Sequence, residues 1–347
     1  MKVLLTGSAG FIGTATGAAL DEAGDEVVRV DLMLPQAHGS SDVPADTHRL
    51  DVRDAEGWGD LLDGVDVVCH QAAVVGAGVK VADLPVYAGH NDLGTAALLA
   101  AMHAHGVDRL VLASSMVVYG EGCYACATHG AVAPRPRGIA DLESGLFDNR
   151  CPSCGEPLSW ELVPEDAGLD PRSSYAASKL AQEHYASTWV RQAGAAAIAL
   201  RYHNVYGPGM PRDTPYSGVA AMFRSSLERG QAPQVFEDGG QMRDFVHVSD
   251  VAAANVRATR RVAERDAGDY TAYNVCSGTP VSILEVARCV AAGSDVDLAP
   301  EVTGQFRAGD VRHVVASPAL AQAELGFEAV VRPRDGLRDF AHAPLRA

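Results

Sequence analysis

Apolar positions along the chain fall into short continuous runs set between stretches of helical spacing. Lys2–Thr6 is such a run, rich in aliphatic residues, and predicts a buried strand. The glycine-rich stretch 7–13 interrupts it before a helical stretch, Thr14–Ala23. Further strands are predicted at Glu26–Asp31, His48–Val52, Asp66–Gln71, Arg109–Ser114 and Ala196–Tyr202. Helices are predicted at Asn91–His105 and Tyr175–Gln192. Strands alternating with helices imply an α/β fold with a doubly wound parallel sheet. After Asn204 the alternation loosens, and glycine and proline cluster at 207–211. Residues 120–164 stand apart, rich in Cys, Pro, Gly and Arg and without helical periodicity. The expected organisation is a first domain of 1–119 and 165–205, an insertion at 120–164, and a smaller α/β second domain at 206–347 with segments returning to the first.

Composition narrows the function classes. With 347 residues and 47% hydrophobic content the chain can bury a large core. A net charge of −16 argues against nucleic acid, which demands a basic face. No apolar run reaches the length of a membrane span. The N-terminal run meets Gly7 too soon to be a signal-peptide core, so a cytoplasmic protein is expected.

Glycines 7, 10 and 13 lie between a strand and a helix. Small residues there let the backbone approach a pyrophosphate, and the helix N-terminus offers N–H groups. The spacing is G-x-x-G-x-x-G rather than the commoner G-x-G-x-x-G. Asp31, ending the second strand, suits the ribose hydroxyls of an adenosine and would repel a 2′-phosphate, favouring NAD over NADP. Asp51 and Val52 could hold the adenine edge, although a turn-capping role fits Asp51 nearly as well. Tyr175 and Lys179 are four residues apart, which on a helix places both side chains on one face. A lysine beside a phenol favours the phenolate and turns it into a usable base.

These motifs together resemble the extended short-chain dehydrogenase/reductase family, in its branch of NAD-dependent sugar-nucleotide epimerases and dehydratases. The resemblance is carried by residues 6–13 and 114–120, by Tyr175-x-x-x-Lys179 and by Pro85-x-Tyr87-x-x-x-Asn91-x-x-Gly94. Residues 201–208, 243–251 and 307–310 carry it further. It implies a Rossmann-like sheet, with Ser115, Tyr175 and Lys179 as catalytic residues. It implies NAD, tightly bound, on Gly7, Gly10, Phe11, Ile12, Gly13, Asp31, Asp51, Val52, Ala72, Asn91, Tyr175 and Lys179. It implies a UDP- or dTDP-sugar held by Ser115, Asn204, Arg243, Arg307 and Asp310, and a homodimer. In dehydratases of this branch an Asp–Glu pair follows the catalytic Ser or Thr. Here Met116 and Val117 stand there, and neither can move a proton. The expected reaction is therefore C4 epimerisation through a transient 4-keto sugar. An NAD(P)-dependent dehydrogenase, 4-ketoreductase or dehydratase of the same fold is the alternative, and a non-catalytic NAD-binding scaffold is disfavoured because all three catalytic residues are present.

Cys123-x-x-Cys126 and Cys151-x-x-Cys154 give two knuckles suited to a closed, structural zinc site of four cysteines, in a small insertion like a zinc ribbon. His129 is a spare ligand, read as a loop histidine. Lying between Ser115 and Tyr175, the insertion is expected at the rim of the active site, as part of a substrate lid or an oligomer contact. Cys69, Cys276 and Cys289 read as core or half-buried residues.

Overall fold

The computed structural model describes residues 1–38, 43–78, 80–212 and 218–346. Seven strands form one parallel sheet: β1 (Lys2–Thr6), β2 (Glu26–Asp31), β3 (Thr47–Arg49), β4 (Val67–His70), β5 (Arg109–Ser115), β6 (Ala196–Tyr202) and β7 (Tyr270–Val275). Their order is β7-β6-β5-β4-β1-β2-β3. The helices flanking it include α1 (Phe11–Glu22), α2 (Gly94–Ala104), α3 (Ser174–Ala193) and α4 (Val248–Ala263). Alternating side chains serve opposite faces. Val3 and Leu5 of β1 join Ile198, Leu200 and the α4 residues Val251 and Val262 in one core. Leu4 joins Leu98 and Met102 of α2 and Trp189 and Val190 of α3 in another. Both faces are covered, which is why these strands read as unbroken apolar runs.

The chain runs outward from β1 through β2 to β3, then returns to place β4 on the other side of β1. That reversal opens a crevice at the carboxyl ends of β1 and β4, the general ligand site of such sheets. β7 completes the far edge by pairing with β6 from Tyr270 opposite Ala197 to Val275 opposite Tyr202.

A third core lies beyond residue 205, built from Tyr206, Phe223, Leu227, Phe245, Val286 and Phe340. Short ladders frame it, among them Asn204–Tyr206 against Phe245–His247 and Met242–Arg243 against Val281–Ser282. The insertion makes its own antiparallel sheet, with Cys123–Cys126 between Gly130–Ala131 and Ser159–Glu161. It also holds a one-turn helix, Ile139–Glu143, that its sequence does not announce. Its apolar core is small: Tyr124, Cys126, Cys151 and Leu158, with Val132 against them.

Candidate active site

Two cavities meet at the N-terminal end of α3. The first follows the crevice and is lined by Gly7, Gly10, Phe11, Ile12, Gly13, Asp31, Asp51, Val52, Ala72, Tyr175 and Lys179, among others. The glycine loop is packed to the limit. A Cβ on Gly13 would stand 1.9 Å from the Gly7 carbonyl oxygen, and Gly7 itself holds φ +65°. No side chain caps α1, whose N-cap is Gly10. The first-turn N–H groups of Phe11, Ile12 and Gly13 are thus left for an anion in the cavity. Asp31 accepts from the amides of Ala9 (3.0 Å) and Met33 (2.7 Å) and lies 3.2 Å from His38 Nε2. Burial raises its pKa, but these donors outweigh it and the carboxyl sits below the usual carboxylate range. A carboxylate offers about four acceptor positions, so one remains for a ribose hydroxyl. The residues therefore fit a dinucleotide. Asp51 is held by Arg53, whose Nη2 is 2.6 Å from Oδ2, and also caps the turn that begins at Val52.

Asn91 is the exception in this set, because it does not line the cavity. It is fully buried in a π-helical turn, exchanges hydrogen bonds with the backbone of Val74 and donates to Ser178 Oγ at 2.8 Å. Its place is that of a pin between the loop after β4 and α3.

Helix α3 starts cleanly: Ser173 caps it by accepting from Ala176 N at 3.2 Å. Tyr175 and Lys179 then share one face, as their spacing requires. Lys179 is 3% exposed and donates to the Ala113 carbonyl at 2.8 Å. Burial pushes its pKa down to about 7, with Glu183, one turn on, pulling it back up. Burial pushes the Tyr175 phenol well above its ordinary value, while a hydrogen bond with Ser115 holds it down. Around Tyr175 burial outweighs the Ser115 bond, and the same burial weakens the Lys179 ammonium, so the lowering expected from Lys179 together with NAD⁺ belongs to the loaded site. Ser115 ends β5 and is nearly buried.

Sequence reasoning passes over the charges behind this face. Arg201 of β6 pairs with Glu183, Nε to Oε1 at 3.0 Å and Nη2 to Oε2 at 2.8 Å, and donates to the Tyr119 hydroxyl at 2.8 Å. Ser114 also donates to Glu183. The available signal is an unbroken apolar run ending on a charge, Arg201, which in a core must be paired.

The second cavity, about 580 Å³, has the usual size of a small-molecule site. Met116 and Val117 form part of its wall with Val81, Leu84 and Arg172, and Asp310 is the only acid among its lining residues. Asp310 is thus the substrate candidate that reaches it, and burial raises its carboxyl above the ordinary value. Arg243 stands behind it, donating to the carbonyls of Val311 (2.7 Å) and Arg312 (2.8 Å). Arg307 lies over the Phe236 ring at 5.1 Å, and Asn204 bonds the Asp244 carbonyl; neither is among the lining residues of the two cavities.

In the insertion, Cys126, Cys151 and Cys154 come together with His129, not with Cys123, their ligand atoms all within 4.8 Å of one another. Cys123 packs instead near Val118, Tyr119 and Val163. The reason is strand geometry. Cys123 and Cys126 lie on one strand, where residues three apart face opposite sides. His129 follows the strand and turns back.

The sequence profile of the NAD dependent epimerase/dehydratase family matches residues 3–136 and 155–276, passing over 137–154. The chain belongs to the NAD dependent epimerase/dehydratase family. Among family relatives, a dTDP-L-rhamnose 4-epimerase of Burkholderia thailandensis is 34% identical, over 94% of this chain and 90% of its own length. A UDP-glucose 4-epimerase of Streptomyces lividans is 28% identical over 94% and 91%. Among solved structures, the UDP-glucose 4-epimerase of Thermotoga maritima with UDP-glucose superposes with a TM-score of 0.78 at 26% identity, covering 98% of this chain and 97% of that one. The Thermus thermophilus UDP-glucose 4-epimerase complex with NAD gives 0.72 at 31% identity, covering 98% of both chains. The family fold is thus shared along the whole length. No helix among the described residues is long and apolar enough to cross a membrane.

Proposed function

We propose that this family member is an NAD-dependent nucleotide-sugar 4-epimerase acting on a UDP- or dTDP-sugar. The observation that carries the reading is the wall of the second cavity. Directly after Ser115 it presents Met116 and Val117, so no acid or base stands where a dehydratase needs a proton carrier. Tyr175 takes the proton from the sugar O4 and returns it, with Ser115 bonded to the same oxygen. Lys179, fixed by the Ala113 carbonyl, orients the cofactor ribose. Bound NAD would supply the hydride acceptor and donor, and its positive nicotinamide would lower the Tyr175 pKa that burial raises. Gly7, Gly10, Phe11, Ile12 and Gly13 would hold the pyrophosphate, Asp31 the adenosine ribose, and Asp51, Val52 and Ala72 the remaining walls. Asp310 would reach the nucleoside ribose from the cavity wall.

The insertion is read as a zinc site on Cys126, His129, Cys151 and Cys154. The chain is read as a homodimer through α3 and its neighbour, supported by exposed Leu93 and Tyr185 on those segments. Light scattering on the purified protein checks the second point. The test of the activity is incubation with UDP- and dTDP-hexoses and hexuronates, followed by NMR at C4. Inversion without a lasting 4-keto product is expected. No turnover of any sugar, or accumulation of a 4-keto-6-deoxy product, overturns the reading.

A further inference from the structure

The insertion docks on the back of the segment that walls the second cavity. Ala308, Gly309, Asp310, Val311 and Val314 line that cavity. From behind, the Tyr124 hydroxyl accepts from the His313 amide at 3.0 Å, and Glu121 accepts from the Arg312 amide at 3.1 Å. The Arg137 side chain, almost fully buried, donates to the Asp310 carbonyl at 2.7 Å and pairs with Glu237 at 2.9 Å. Tyr124, Glu121 and Arg137 all belong to the insertion or its neck, yet its core holds only a handful of apolar side chains.

The four clustered side chains supply what that core lacks. Cys126 Sγ lies 3.7 Å from Cys154 Sγ, and His129 Nδ1 lies 3.5 Å from both Cys126 Sγ and Cys151 Sγ. Tetrahedral zinc, with bonds of about 2.3 Å to sulfur and about 2.0–2.1 Å to nitrogen, separates two sulfurs by about 3.8 Å and a sulfur from a nitrogen by about 3.5 Å. The local chain repeats itself as well. Cys126 is approached by the amides of Thr128 and His129, and Cys151 by those of Ser153 and Cys154. Each turn closes on a glycine of positive φ, Gly130 at +69° and Gly155 at +78°. These are two equivalent knuckles, one ending in His and one in Cys.

We propose that zinc bound by Cys126, His129, Cys151 and Cys154 locks the insertion into a brace for residues 307–314, so that metal occupancy sets the affinity for the nucleotide sugar and leaves the cofactor cavity unchanged. Tyr124, Glu121 and Arg137 are the positioning residues of that brace. The affinity half rests on the nucleotide-sugar reading, whereas the metal half does not, because zinc is measured without substrate.

The experiment compares the full-length wild type with His129→Ala, Cys123→Ser and Tyr124→Phe. Zinc is counted by elemental analysis, NAD by its release on denaturation, and KM and kcat are separated on whichever nucleotide sugar the panel identifies. The wild type and Cys123→Ser should carry about one zinc per chain, and His129→Ala should lose it. His129→Ala should raise KM at least about tenfold with kcat and NAD content little changed, since displacing a binding group by an ångström has effects of this order. Tyr124→Phe, which removes the acceptor for the His313 amide and the hydroxyl's bond with Asn149, should keep its zinc and raise KM about three- to tenfold. A wild type without zinc, or zinc lost from Cys123→Ser and kept in His129→Ala, overturns the ligand set. Unchanged KM in Tyr124→Phe and in zinc-free His129→Ala overturns the brace.

Discussion

The crevice and the insertion hold their shapes by opposite means. The crevice sits on a seven-stranded sheet buried on both faces, and its loop geometry follows from backbone packing such as the contact of Gly13 with Gly7. The insertion has four buried core residues, two of them cysteines, and far too little apolar surface to order its own loops. Where burial is plentiful, a site can be shaped by glycine and strand ends. Where it is scarce, cross-linking side chains must stand in. The two regions should therefore fail differently when challenged.

The largest effect should come from the crevice and be purely chemical. Tyr175→Phe should cut turnover by about 10²–10⁴-fold, the usual contribution of a positioned acid–base group, and Lys179→Met should also lower it by misplacing the cofactor, both with the fold intact by circular dichroism. Wild-type turnover in both variants would separate the crevice from catalysis. Next in size is zinc removal. A strong chelator should expose the amides of residues 120–164 to hydrogen exchange while those of β1, β4 and β5 stay protected. Loss of protection in both regions together would show that they are one cooperative unit. Third, Asp31→Asn should weaken NAD roughly tenfold, about 1.4 kcal/mol, and narrow the preference over NADP, as read by fluorescence titration. The last effect is spread over several pH units and is read as the pH dependence of stability. Burial lowers the Lys179 pKa to about 7, so between pH 7 and about 10.5 the unfolded chain binds more protons at this residue than the folded one. Stability from this group is fully present above the upper value and is lost as pH falls toward the lower. The slope is at most about 1.4 kcal/mol per pH unit and should vanish in Lys179→Met, as denaturant melts across that range would show.

Much of the fold is legible in the sequence because strands buried on both faces leave continuous apolar runs. Five of the six predicted strands match observed ones to within a residue or so, and the third is shorter than predicted, Thr47–Arg49. β7 is not predicted as a separate strand. Its Asn274 is buried but satisfied by Tyr119, Val163 and Ser317, partners from distant parts of the chain that local pattern does not reveal. The same limit applies to Arg243, which besides the Met242 carbonyl reaches carbonyls some seventy residues on, and to Asn91, whose partners are Val74 and Ser178. Cys123 misleads for a different reason. A C-x-x-C pair reads as a knuckle only if the chain turns there, and here it runs straight as a strand. The glycine after His129, matching the one after Cys154, is the sequence counterpart of the cluster that the fold brings together.

The pairing of Cys123 with Glu161 places the incoming and outgoing strands of the insertion side by side. Neighbouring strands lie only about 5 Å apart, a gap that a two-residue Asn-Gly turn can bridge. The chain thus enters and leaves the insertion through a neck one ladder wide, while Tyr124 and Arg137 dock what lies between onto residues 310–313. In evolutionary terms such a segment is a cassette. It can vary in length without rethreading the sheet, and the family profile passes over 137–154 inside it while matching the residues on either side.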